Sequence, residues 1–217
     1  MIKREKDILA AAEVMVKEKL DGESSGHDWW HIVRVRNSAR AIAEQEKADV
    51  FICELAALLH DVADEKLVED PEQERYELAQ WLYGQPFEID RADHILTIID
   101  TMSFKGGNGQ PMTSLEGKIV QDADRLDAIG AIGIARTMAY SGNHNRLIHD
   151  PNMKPREQMT LKEYRSGKDT AIMHFYEKLL KLKDLMNTDY GKKMAEQRHQ
   201  FLEFYLAEFY AEWQGKK

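Results

Sequence analysis

One cysteine, five prolines and 13 glycines in 217 residues leave several protein classes without their material. A lone thiol, Cys53, builds neither a disulfide framework nor a thiolate-rich metal site, and it fits a reducing cytosol. Basic residues are also in deficit, 30 against 38 acidic ones, for a net charge of −8 with histidines neutral. Such a surface repels a phosphate backbone, which excludes non-specific nucleic-acid binding. No apolar run approaches the ~18–20 residues of a membrane span. The opening stretch MIKREKD lacks the apolar core that a secretory signal needs. A soluble, cytoplasmic protein with no membrane partner is expected. With 43% hydrophobic residues and so little proline, disorder and collagen-like order are excluded as well.

Strand signals are missing too. There is no period-two alternation, no series of β-branched runs separated by turn dipeptides, and no fixed-period repeat. What is present is helical periodicity along nearly the whole chain. Helices are expected over about 2–20, 28–47, 50–59 with Asp49 as cap, 71–84 with Pro71 in the first turn, and 88–102. A further helix runs over 113–140 with a break near 127–130, and long amphipathic helices cover about 169–186 and 190–213. The polar stretch 141–167 interrupts the pattern and reads as a loop or lid. No linker separates two cores, so the expectation is a single all-α domain over 1–217.

Chemistry in such a chain must come from nitrogen and oxygen. Three His-Asp dipeptides occur where composition alone gives about 0.6. His149-Asp150 lies in the polar stretch and reads as a solvated pair. His60-Asp61 closes the apolar run 55–59, so a helix delivers an imidazole and a carboxylate from the core, and a charge there needs a partner or an ion. If that helix continues, Asp64 and Glu65 extend the acidic face; the alternative is an acidic surface turn. In GHDWWH, His27 and His31 stand four residues apart, a spacing shared with His-Glu-x-x-His zinc proteases. In VQDADRLDAIGAIGIAR, Asp124 and Asp127 occupy one helix side beside small apolar residues, where a carboxylate needs a partner; Asp122 points elsewhere and reads as a surface group. Gly130-x-x-Gly133 reads as close helix packing, because a phosphate loop needs a preceding strand.

His31, His60-Asp61 and the Asp of ADRL, in that order and in a helical setting, resemble the HD-domain superfamily of metal-dependent phosphohydrolases. GHDWWHIVRV, LAALLHDVADEK, QDADRLDAIGAIGIAR and HFYEKLLKL look more specifically like its small bacterial single-domain, YedJ/YpgQ-like subgroup. The resemblance implies a compact HD-domain helical bundle with long C-terminal helices, the metal motifs falling within about 20–140 and the last helices within 168–213. It implies His31, His60, Asp61 and Asp124 as ligands of a divalent ion, with Mn, Mg, Fe, Ni or Zn all compatible with the donor set. Asp64 and Glu65 take the places of the two acids that handle water in pyrophosphate-cleaving relatives. His27, Lys105, Arg125, Asp127 and Arg136 are expected on the substrate side; His94 and His174 are expected to pack.

The implied activity is hydrolysis of a nucleoside triphosphate to monophosphate and pyrophosphate, with a small-molecule nucleotide or other phosphate compound as substrate. A nucleotidase or phosphodiesterase with the same metal site is the nearest alternative, and a catalytically silent, metal-stabilised regulatory protein a third. The protease reading predicts His27 and His31 on one ion with His60 uninvolved. The aromatic face Phe201, Phe204, Tyr205, Phe209 and Trp213 is expected to cover the core, with a homodimer contact as its other use.

Overall fold

Local capping signals open most helices. Helix α1 spans Lys3–Lys19, and three aspartates start the next three. Asp28 accepts the backbone N–H of His31 at 2.8 Å and opens α2, Trp29–Glu46. Asp49 accepts that of Ile52 at 3.1 Å and opens α3, Val50–Leu59. Asp70 accepts that of Gln73 at 3.0 Å and opens α4, Pro71–Tyr83, with Pro71 in the first turn, where its missing N–H costs nothing. Then follow α5 (Ile89–Met102), α6 (Leu115–Asp127), α7 (Gly130–Asn143), α8 (Ala171–Glu177), a 3₁₀ segment (Leu179–Leu185) and α9 (Asp189–Trp213). This computed structural model describes residues 2–20, 28–65, 67–102, 111–156 and 169–217, and no strand occurs among them. Nor is any helix among the described residues long and apolar enough to cross a membrane.

The all-α expectation holds. The chain divides into two compact units, Met1–Ala123 and Asp124–Lys217. In the first, α3 is the centre: all nine residues 51–59 are buried, and α1, α2 and α5 pack on it. A helix covered on every side has to be apolar all round, and the run 51–59 supplies that. Its one acid, Glu54, is buried and paired with Arg36 at 2.9 Å, and Arg36 also binds Glu13. Arg36 is thus an internal counter-ion. Arg91 braces the start of α3, reaching Asp49 at 2.7 Å and Glu5 at 3.2 Å with its guanidinium 4.8 Å above the Phe51 ring. In the second unit α9 packs along α7 and the 3₁₀ segment, which in turn packs on α8.

Several expectations need correction. Helix α3 does not continue past the His-Asp pair: His60 is its C-cap, and residues 61–63 form a turn closed by Asp64 N–H on the Asp61 carbonyl at 3.1 Å. Asp64 and Glu65 therefore lie on a turn, the former half-buried and the latter exposed, and share no helix face. The long helix expected over 169–186 breaks at Lys178 (φ −133°), leaving α8 and the 3₁₀ segment. His149 is not a solvated group: its ring meets Phe209, Tyr210 and Trp213 edge-on at 5.7, 5.5 and 4.8 Å. The aromatic face of α9 covers less core than expected, since Phe201, Phe204 and Trp213 are 47%, 64% and 52% exposed.

Candidate metal centre

Three chain ends of helices carry the polar groups of interest. His31 enters α2 in its first turn, where Asp28 holds its backbone N–H, and it is wholly buried. His60 caps α3, and its Nδ1 lies 2.8 Å from the Ala57 carbonyl. That carbonyl accepts only, so Nδ1 carries the proton and Nε2 keeps its lone pair, the tautomer that a metal ligand requires. The two rings meet edge to face at 5.4 Å. Asp61, buried, sets its carboxylate oxygens 3.5 Å from His31 Nε2 and 3.4 Å from His60 Nε2.

Helix α6 is unbroken from Leu115 to Asp127 and carries Asp124 half-buried in its last turn. One ligand atom each from His31, His60 and Asp124 lie within 4.8 Å of one another. Donors held about 2.1 Å from a common ion stand roughly 3–4 Å apart; the Asp61 spacings fall in that range, the group of His31, His60 and Asp124 comes near it, and the donor chemistry suits a divalent cation. A hydrogen bond at 3.4–3.5 Å would be long, which makes the Asp61 contacts better suited to sharing an ion than to direct pairing. Two imidazoles with carboxylates suit Mn, Mg, Fe, Ni or Zn alike.

The remaining expected residues divide. Asp127 is buried and its Oδ2 pairs with Arg136 at 2.7 Å; the same guanidinium nitrogen reaches the Asp127 carbonyl at 3.3 Å. Arg125 donates to the Leu185 carbonyl. His27 and Lys105 lie outside the described residues, as does most of the polar stretch expected to form a lid. His94 stands 3.8 Å from Glu116 on neighbouring structure of the first unit. His174 is held neutral: burial first, then Lys178 and Arg146, push its pKa down to about 3. The protease reading required His60 to stand apart from His31, and it does not.

Two buried acids escaped the sequence reading. Asp122, expected at the surface, is fully buried, because it shares a face of α6 with Ile119, Ala123 and Leu126 at three- and four-residue steps. That phase was legible. Glu54 lay in plain view within the apolar run, but nothing local pointed to Arg36, 18 residues earlier, as its partner.

Imidazoles and carboxylates converging from helix ends in an all-α chain make a candidate centre for a divalent metal. The family model described as HD domain matches residues 29–129. YpgQ of Bacillus subtilis (strain 168) is 42% identical over 189 residues, 86% of this chain and 84% of that protein. The crystal structure of an HD-superfamily hydrolase from Bacillus thuringiensis superposes with a TM-score of 0.79 at 42% identity, covering 97% of this chain and 98% of the other. That of Bacillus subtilis YpgQ in complex with ADP superposes with a TM-score of 0.76 at 36% identity, covering 95% of each chain. The chain belongs to the HD-domain family, and it is a metal-dependent phosphohydrolase.

Proposed function

We propose that this phosphohydrolase is a nucleotide pyrophosphohydrolase that cleaves a nucleoside triphosphate to the monophosphate and pyrophosphate. The observation that carries the reading is the convergence of one ligand atom each from His31, His60 and Asp124, with Asp61 spanning the two imidazoles. These four residues would hold the ion. When bound, a divalent ion lowers the pKa of a water and neutralises phosphoryl charge. The ADP in the YpgQ structure supports a nucleotide as the substrate. The acidic chain, formally −8, supports a small phosphate compound over a nucleic acid. We assign the whole chain to one cytoplasmic HD-type phosphohydrolase domain, which the nearly full-length coverage of its relatives supports.

Asp64 and Glu65 follow Asp61 on the turn and orient the attacking water, taking its proton as the oxygen attacks the α-phosphorus. The bond from that phosphorus to the bridging oxygen breaks, and pyrophosphate leaves. Arg125, in the last turn of the helix bearing Asp124, and Arg136 of α7, which bonds Asp127, form the substrate side together with His27, Lys105 and Asp127. Chromatography of the products from a nucleoside triphosphate tests this. Monophosphate with pyrophosphate is expected; diphosphate with orthophosphate would overturn the pyrophosphohydrolase assignment and favour a nucleotidase.

A further inference from the structure

The end of α6 is held by side chains from two other helices. The last carbonyls of any helix have no donor within it, so the final turn frays unless something else supplies one. Here Arg198, from the middle of α9, donates through Nη1 to the Leu126 carbonyl, and Arg136 of α7 bonds both the carbonyl and the carboxylate of Asp127. Two guanidinium groups thus sit on two consecutive carbonyls at the negative pole of the helix, where positive charge is favoured. Asp124 is in that same turn, two residues before Leu126.

The corner is built around Arg198. Gly130 adopts φ +73°, a region L side chains avoid, and a Cβ there would lie 3.0 Å from Cβ and Cγ of Arg198. A Cβ on Gly133 would lie 2.3 Å from the Ala128 carbonyl oxygen, so α7 begins pressed against the turn that ends α6. The Arg198 guanidinium is desolvated, which pulls its pKa down, while the Asp127 carboxylate opposes that pull. A charge carried into such a place has to meet a fixed set of acceptors, and the end of α6 is that set.

We propose that Arg198 is a positioning residue for the metal centre, holding the last turn of α6 so that the Asp124 carboxylate stays aimed at the ion. The proposal rests on the assignment of Asp124 as a ligand. Its consequence is that metal affinity depends on a residue that touches neither ion nor substrate.

The test is a Mn²⁺ titration of metal-stripped protein by calorimetry, alongside a thermal scan without metal, for wild type, Arg198→Met, Arg198→Lys and Asp124→Asn. Arg198→Met keeps the stem that packs by Gly130 and removes the donor; its Mn²⁺ affinity should fall about 10- to 100-fold, the range for groups that orient ligands. Arg198→Lys, which keeps the cation, should recover part of that loss. A lowered melting temperature with wild-type Mn²⁺ affinity in Arg198→Met would show a structural role only and overturn the proposal. If Arg198→Met does not fold, Arg198→Lys decides: affinity clearly below wild type supports the proposal, and wild-type affinity overturns it. Asp124→Asn separates the two failures. If that variant binds Mn²⁺ as wild type does, or wild type binds none, the assignment of the ligand falls and this inference with it.

Discussion

Asp64→Asn removes one negative charge and leaves shape nearly unchanged, so it isolates what the carboxylate does to the attacking water. The backbone at Asp64 is held on both sides: its N–H donates to the Asp61 carbonyl at 3.1 Å, and its own carbonyl accepts from Leu67 at 2.9 Å and Val68 at 3.3 Å. Its side chain is half-buried, whereas that of Glu65 is exposed. A group whose backbone is fixed to Asp61, proposed above as a ligand, loses little freedom in reaching the reaction geometry; an exposed, longer side chain loses more. A positioned base contributes about 10²–10⁴-fold, or about 2.7–5.4 kcal/mol of barrier. We therefore expect Asp64→Asn to lower kcat by that factor, and Glu65→Gln by about tenfold or less. KM should move little in either, since the interaction belongs to the transition state. The assay is pyrophosphate release under saturating nucleotide, with metal content measured on the same samples. Loss of metal in Asp64→Asn would make it a ligand; unchanged kcat with full metal content would remove it from the reaction; and a larger effect at Glu65 would reverse the order argued from the turn.

Two further outcomes follow from buried titratable groups. The folded pKa of His174, about 3, lies below the ordinary 6.5, so the unfolded chain binds the extra proton first as pH falls. Stability is complete above pH 6.5 and declines toward pH 3; between pH 7 and pH 4 wild type should lose about 3 kcal/mol relative to His174→Gln, read from urea unfolding at each pH, and parallel profiles would refute it. Arg36→Met leaves the Glu54 carboxylate, 1% exposed, without its counter-ion. It should cost about 3–5 kcal/mol in the same assay, most of which Glu54→Leu added to it should recover, and a loss below about 1 kcal/mol would mean that the pair is not what keeps Glu54 inside.

The parts of this fold that were legible are those set by local chemistry. Asp28, Asp49 and Pro71 mark helix starts with groups that satisfy backbone donors or lack one, and each stands where the structure starts a helix. The break between α6 and α7 was legible for the same reason, since Gly130 takes a positive φ. The end of α3 was not. Residues 61–65 read Asp-Val-Ala-Asp-Glu, with no glycine or proline to stop a helix, so its ending at Leu59 is imposed by packing beyond the window of any local pattern. The break at Lys178 is similar: HFYEKLLKL keeps a helical period on both sides of a residue at φ −133°, ψ −60°. The exposure of Phe201 and Phe204 also depends on what the neighbouring elements leave uncovered, which no spacing along α9 expresses.

The same division explains why the candidate metal residues stood out in sequence more than the groups around them. His60-Asp61 stood out because a polar pair directly after a fully apolar run must lie where the core ends, and His31 because it stands four residues after His27 in GHDWWH. Helix ends are sites of chemistry for a physical reason: their unsatisfied carbonyls and N–H groups create fields that side chains alone must otherwise supply. His60 caps the C-terminal end of α3 and Asp124 lies in the last turn of α6, so two of the donors sit at negative helix poles, which favours a cation before any carboxylate is counted. That arrangement carries a cost, because a last turn frays and a ligand on it wanders. Where the sequence placed Arg125 and Arg136 as hands for a polyphosphate, the structure binds Arg125 to the Leu185 carbonyl and Arg136 to Asp127, and adds Arg198 at the Leu126 carbonyl. Arginines near the candidate centre thus spend donors on backbone carbonyls at the ends of α6 and of the 3₁₀ segment. Only coordinates show that use, since a carbonyl acceptor leaves no mark on the residue that provides it.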